Sequence, residues 1–100
     1  MYFITCFEKI DSDEYGLNIG DRRVMGYYHT FGSVNSVLKK NICDIHETIY
    51  NYAVVEEILE GIYPEVTDRW FYKYDKEKDG FYPIEEPKEF EHSTNIALVG

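Results

Sequence analysis

Acidic residues in the second half of the chain stand at a spacing that could hold a metal ion. From Asp75 they run Asp75, Glu77, Asp79 and Glu86, with Gly80 between, close to the calcium-loop pattern of acids at the first, third, fifth and twelfth positions and glycine at the sixth. Glu77 is longer than the Asp or Asn that the third position favours. Tyr82 and Pro83 take the place of the aliphatic residue that pairs one loop with another, and the chain carries no second loop. A β-hairpin fits the same residues: a strand RWFYKYD, a KEKDG turn whose Asp-Gly supplies a positive-φ position, and a strand FYPIEE. The hairpin, with no metal, is the expected structure. A weak calcium site at Asp75, Glu77, Asp79 and Glu86 is the alternative.

A nucleophile needs a base beside it. Cys43 and His46, with Asp44 and Glu47 adjacent, would share a face if these residues were helical. One helical turn offers neither an oxyanion hole nor an orienting third group, and isolated cysteines pack more often than they react. Catalysis is not expected. Cys6, Cys43, His29 and His46 lack CxxC or HxxxH spacing for zinc, and IGDRRVMG lacks the Lys-Ser/Thr ending of a phosphate loop. No cofactor is expected.

Positive charge is scarce in a chain of net charge −9, so its placement is informative. Arg22 and Arg23 open a strand-like segment, and neighbours on a strand point to opposite faces, so only one, Arg23 by spacing, joins Tyr27 and His29. Arg69 precedes Trp70. An arginine near Tyr, Trp or His can grip a phosphate while a base stacks, which makes Arg22, Arg23, Tyr27, His29, Arg69 and Trp70 the candidate site for a small nucleotide ligand. The simpler alternative is that each arginine pairs with one of the 19 acids.

Those acids are unevenly spread. Residues 1 to 55 carry seven acids and five bases, net −2, and residues 56 to 100 carry twelve acids and five bases, net −7. Such a field repels nucleic acid and attracts basic surfaces. Direct nucleic-acid binding is therefore not expected. An acidic face around Glu56, Glu57, Glu60, Glu85, Glu86 and Glu89, extended by Glu65, Asp68 and Glu91, is the alternative site, fitted to a basic host protein. A solvated face kept for solubility would look the same.

The elements that must position these residues form one domain over residues 1 to 100. A chain of this length buries roughly 65% of its unfolded surface, and 44% apolar content suffices for a core. Ten tyrosines exceed what such a core can bury with every hydroxyl satisfied, so several should be exposed contact residues. No apolar run suits a membrane span and no signal peptide is evident, so a cytoplasmic protein with reduced Cys6 and Cys43 is expected. MYFITCFEKI, apolar on both faces, predicts an interior strand. DSDEYGLNIGD predicts a loop, and RRVMGYYHT a second strand antiparallel to the first. Thr30 can cap a helix carrying Val34, Val37 and Leu38, with Lys39 and Lys40 at its negative end. Asp44 and Glu47 form a capping box for a short helix, followed by a strand through YAVVEEIL. The 69 to 86 hairpin follows, and NIALV closes the sheet. The expected fold is α+β: a mainly antiparallel sheet of five or six strands with one or two short helices on one face.

Taken together, MYFITCF, RRVMGYY, DIHETIYNYAVVEEILEGIYP, RWFYKYDKEKDGFYPIEEP and NIALVG resemble an uncharacterised family of small, acidic proteins of gut clostridia and their phages and mobile elements. The resemblance covers most of the chain and implies context, since the family carries no assigned activity. Small acidic proteins of that origin often counter host defence. The expected function is thus a non-catalytic counter-defence protein, with a homo-oligomer allowed, that sequesters a nucleotide-type signalling ligand. The alternative is an acidic, anti-CRISPR-like inhibitor that blocks a basic, nucleic-acid-handling host protein.

Overall fold

A computed structural model of the chain describes residues 1–13, 16–59 and 66–88. Strand β1 (Tyr2–Phe7) is the apolar-on-both-faces segment, and it lies inside a five-stranded sheet, as its pattern predicts. β2 (Asp11–Asp13) and β3 (Gly16–Asn18) form a separate two-stranded ribbon where a plain loop was expected. Glu8 N donates to Asp21 O and Lys9 N to Ile19 O, each at 3.0 Å, so the chain is zipped up to the base of the ribbon. β4 (Arg22–Tyr28) then pairs antiparallel with one side of β1.

The chain next crosses the sheet in α1 (Phe31–Lys39). Thr30 is its extended N-cap, accepting from Ser33 N at 3.4 Å; Val34 and Leu38 are buried, and Lys39 lies in the last turn. β5 (Tyr52–Ile58) pairs antiparallel with the other side of β1, so β4 and β5 run parallel to each other on either side of it. β6 (Val66–Asp75) and β7 (Gly80–Ile84) complete the order β4-β1-β5-β6-β7. Every pairing is antiparallel, and α1 lies against β7, β4 and β1. The expected α+β architecture is the observed one.

Both faces of the sheet carry apolar cores. Ile4, Cys6, Ala53, Val55, Tyr72 and Phe81 pack with Val34 and Leu38 on the α1 side. On the opposite side Phe7, Val54 and Phe71 pack with Ile10, Ile19 and Tyr52. Each such large side chain stabilises the fold by about 1.5–3 kcal/mol before entropy is counted. Among the described residues no helix is long and apolar enough to cross a membrane.

Residues 44 to 51 depart from expectation. The strand through YAVVEEIL forms, but the helix before it does not: a 3₁₀ turn at Ile42–Asp44 is followed by further turns. Asp44, Glu47 and Thr48 have φ of 53°, 47° and 64°, so no capping box is built. Local side-chain bonds compete with the helix. Asn41 Oδ1 accepts from His46 N at 3.0 Å, and the His46 ring stacks on Tyr74 with centroids 3.6 Å apart. NIALV lies outside the described residues.

The hairpin forms as predicted, with one refinement. Asp79, not Gly80, takes the positive φ, at 50°. Gly80 is needed for a different reason: it lies against the carbonyl of Lys39 at the end of α1.

Candidate functional site

The register divides the six candidate ligand residues. β1 and β4 slip between Ile4 and Thr5, Ile4 pairing with Gly26 and Thr5 with Val24, so Met25 is an extra residue in a β-bulge. That residue inverts the alternation along β4. Arg23 pairs with Cys6 and faces α1, whereas Tyr27 pairs with Phe3 and faces away with Arg22. The expected grouping of Arg23 with Tyr27 is therefore corrected. Arg23 instead makes an exposed ion pair with Glu47 at 3.0 Å, and His29 lies exposed beyond the strand end.

Arg69 and Trp70 are likewise separated, because adjacent strand residues take opposite faces. Trp70 pairs with Val55 on the α1 side. Arg69 pairs with Glu56 on the other side, its Nε donating to Glu56 Oε2 at 2.9 Å. The Glu56 side chain is 0% exposed and that of Arg69 11%, so this is a buried ion pair. Glu56 cannot meet a partner's surface, and the Arg69 guanidinium is engaged by it. β4 and β6 are also three strand spacings apart, roughly 14 Å.

The acidic face is thinned by the same pairing. Glu56 leaves it; Glu57 is half-buried and holds the Tyr2 hydroxyl, whose pKa is raised by that hydrogen bond first and then by burial. Glu85, Glu86 and Asp68 remain exposed. Glu60, Glu65, Glu89 and Glu91 lie outside the described residues.

The alternative calcium loop is opened out by the hairpin. Asp75 Oδ1 accepts from Glu77 N and Lys78 N at 2.9 and 3.3 Å, and Asp79 Oδ1 accepts from the Tyr74 hydroxyl and from Asn41 Nδ2. Asp75 pairs with Gly80, while Glu86 lies past Ile84 at the other end of β7, roughly 13 Å or more away. The hydrogen bond to Asp79 is the first cause of a Tyr74 pKa pushed up to about 12.

What the fold does assemble is an aromatic groove on the α1 side. Phe31 and Trp70 have ring centroids 4.6 Å apart, and Tyr2 lies 5.9 Å from each. Beside them, between α1 and β6–β7, opens a groove of about 350 Å³ whose lining includes Phe31, Asn35, Lys39, Trp70, Tyr72 and Ile84, with Arg69 and Glu86 also bordering it. Burial pushes the Tyr72 hydroxyl up to about 12, and it donates to Asn35 Oδ1 at 3.2 Å. That bond orients the Asn35 amide NH₂ as a donor. Compared with protein-family models, curated proteins and solved structures, the chain matches none. The site is therefore defined by its own geometry.

Of the residues that line the groove, sequence singled out Trp70 and Arg69 as ligand candidates and Glu86 as an acidic-face candidate. Phe31, Asn35 and Lys39 were legible in principle, since they recur every fourth residue and so share one face of α1. A second hollow of about 470 Å³ includes Lys73, Lys76, Tyr82, Pro83 and Ile84 in its lining, and it shares Pro83 and Ile84 with the groove.

Of the nucleophile pair Cys43 and His46, the side chain of Cys43 lies outside what the structure describes. His46 Nδ1 lies 2.8 Å from Tyr50 O and its ring is stacked, so it is held as a packing group. Cys6 is a free, buried thiol whose pKa burial pushes up to about 12. In the native protein at pH 8, Cys6 is expected to resist iodoacetamide and to react only after denaturation, read as alkylation of the Cys6 peptide by mass spectrometry. Rapid native labelling would contradict its burial.

Proposed function

We propose that the protein is a non-catalytic binding module that sequesters a nucleotide-type ligand in the groove between α1 and β6–β7. The base stacks against Trp70 and Phe31, the Asn35 amide meets a polar atom of its edge, and Lys39 takes the phosphate. The observation that carries this reading is the meeting of aromatic rings, an oriented amide and a lysine at one groove in a chain of net charge −9. Aromatic stacking contributes about 1–3 kcal/mol per base, and the groove's volume falls at the small end of ligand pockets. The acidic-blockade alternative is less well supported, because Glu56 is buried against Arg69 and Glu57 is tied to Tyr2. The resemblance to proteins of phages and mobile elements supports a counter-defence use, in which the protein lowers the free concentration of a host signal.

The test is a thermal-shift and calorimetric screen of cyclic and linear signalling nucleotides. At a ligand concentration about a hundredfold above Kd, a rise of about 10 °C or more is expected. Trp70→Leu and Lys39→Ala should each weaken binding about tenfold or more, and Arg23→Ala should leave it unchanged. If no nucleotide shifts the melting temperature, or if Arg23→Ala abolishes the shift, the groove is not the site.

A further inference from the structure

We infer that the ligand carries two or more phosphates, because the β6–β7 hairpin places a second phosphate-binding subsite next to the groove. This rests on the groove reading above and extends it. Lys39 belongs to both places. Its side chain lines the groove, and its Nζ lies 5.8 Å from the centroid of the Tyr82 ring. The Nζ of Lys78 lies over the same ring at 4.5 Å. The two ammonium groups are therefore separated by no more than those distances laid end to end, a span that a di- or triphosphate can bridge.

Further lysines of the hairpin flank that place. Lys73 pairs with Tyr82 across the strands, and with Lys76 it lines the hollow that Tyr82, Pro83 and Ile84 also border, together with Asp75 and Glu77. The carboxylates of the turn are engaged in building it: Asp75 accepts from two backbone amides, and Asp79 from Tyr74 and Asn41. Glu77 and Asp79 are both exposed, and Glu77 is the acid of the turn that stays nearest the lysines without a role in building it. Two ammonium groups gathered at one ring repel each other, and a polyphosphate that contacts both converts that repulsion into attraction. Lysines serve such a role as point charges, without the planar fork that a carboxylate partner would reward.

The deciding experiment compares the mono-, di- and triphosphates of adenosine and guanosine by calorimetry on the full chain at about 50 mM salt, with inorganic tripolyphosphate as a further probe. Affinity is expected to rise about three- to tenfold with each added phosphate in at least one series. Lys78→Ala should flatten that series while leaving monophosphate affinity within about twofold, and Lys78→Arg should restore it. Equal affinity for mono- and triphosphate in the unaltered protein would overturn the inference and leave the groove reading standing. A series that Lys78→Ala leaves as steep would do the same. Binding of tripolyphosphate alone, lost in Lys78→Ala, with no nucleotide preferred over it, would instead keep the subsite and remove the groove as a base site. If none of the probes binds, both fall.

Discussion

Gly80→Ala is expected to lower the melting temperature by roughly 12–24 °C, corresponding to about 3 kcal/mol for a domain of this size. A Cβ at Gly80 would lie 2.0 Å from the carbonyl oxygen of Lys39 and 2.8 Å from its carbonyl carbon. That carbonyl cannot swing aside cheaply. The end of α1 is held by Lys40 N donating to Ser36 O and Asn41 N to Leu38 O, at 3.1 and 3.2 Å. The hairpin must therefore move away from the helix, which loosens Phe81 and opens the groove between them. Gly32→Ala is the control: its Cβ would meet nothing within 4 Å, so alanine there should be neutral or stabilising by up to about 1 kcal/mol. A Gly80→Ala protein that melts within two or so degrees of the parent would mean that the hairpin does not abut α1.

Arg69→Ala should cost a comparable amount, about 3–5 kcal/mol by urea unfolding, because it removes the guanidinium from a Glu56 carboxylate that is fully buried. The double variant Glu56→Leu with Arg69→Met should recover most of that loss. Apolar side chains of similar length suit the neighbourhood of Val54 and Phe71 and carry no charge to desolvate. A single-variant cost below about 1 kcal/mol, or a double variant no better than Arg69→Ala, would show that the pair is solvated. The experiment also separates stability from binding. Because Arg69 also borders the groove, binding by Arg69→Ala is read only where its urea curve shows it folded, whereas Lys39 and Lys78 are exposed and can be changed without touching the core.

Much of the fold was legible because it follows from local patterns. The two-sided apolar run of β1 required an interior position, Thr30 with Val34 and Leu38 specified a capped amphipathic helix, and the turn chemistry of KEKDG specified the hairpin over a calcium loop. The failed helix after Asp44 shows where local signals stop. Its capping-box residues are present, but the stacking of His46 on Tyr74 and the bond from Asn41 draw the segment into left-handed turns. Tyr74 lies some 30 positions later in the chain, so no window around Asp44 contains the competing interaction.

The same distinction runs through the candidate site. Residue type and spacing alone determined that the chain has an acidic second half, surplus tyrosines and few cations, that zinc and phosphate-loop spacings are missing, and that Asp75 to Glu86 stands near a calcium-loop spacing. Tertiary structure decided which of these residues meet. One bulge residue, Met25, turned Tyr27 away from Arg23; the antiparallel register set Arg69 against Glu56 and away from Trp70; the crossover of α1 brought Phe31, Asn35 and Lys39 to Trp70. Side-chain direction on a strand has a period of two, so one extra residue reverses every later assignment. A groove between a helix and a sheet edge exists only when both are packed. Composition thus bounded the chemistry available to this protein, and pairing register and packing selected the part of it that shares one surface.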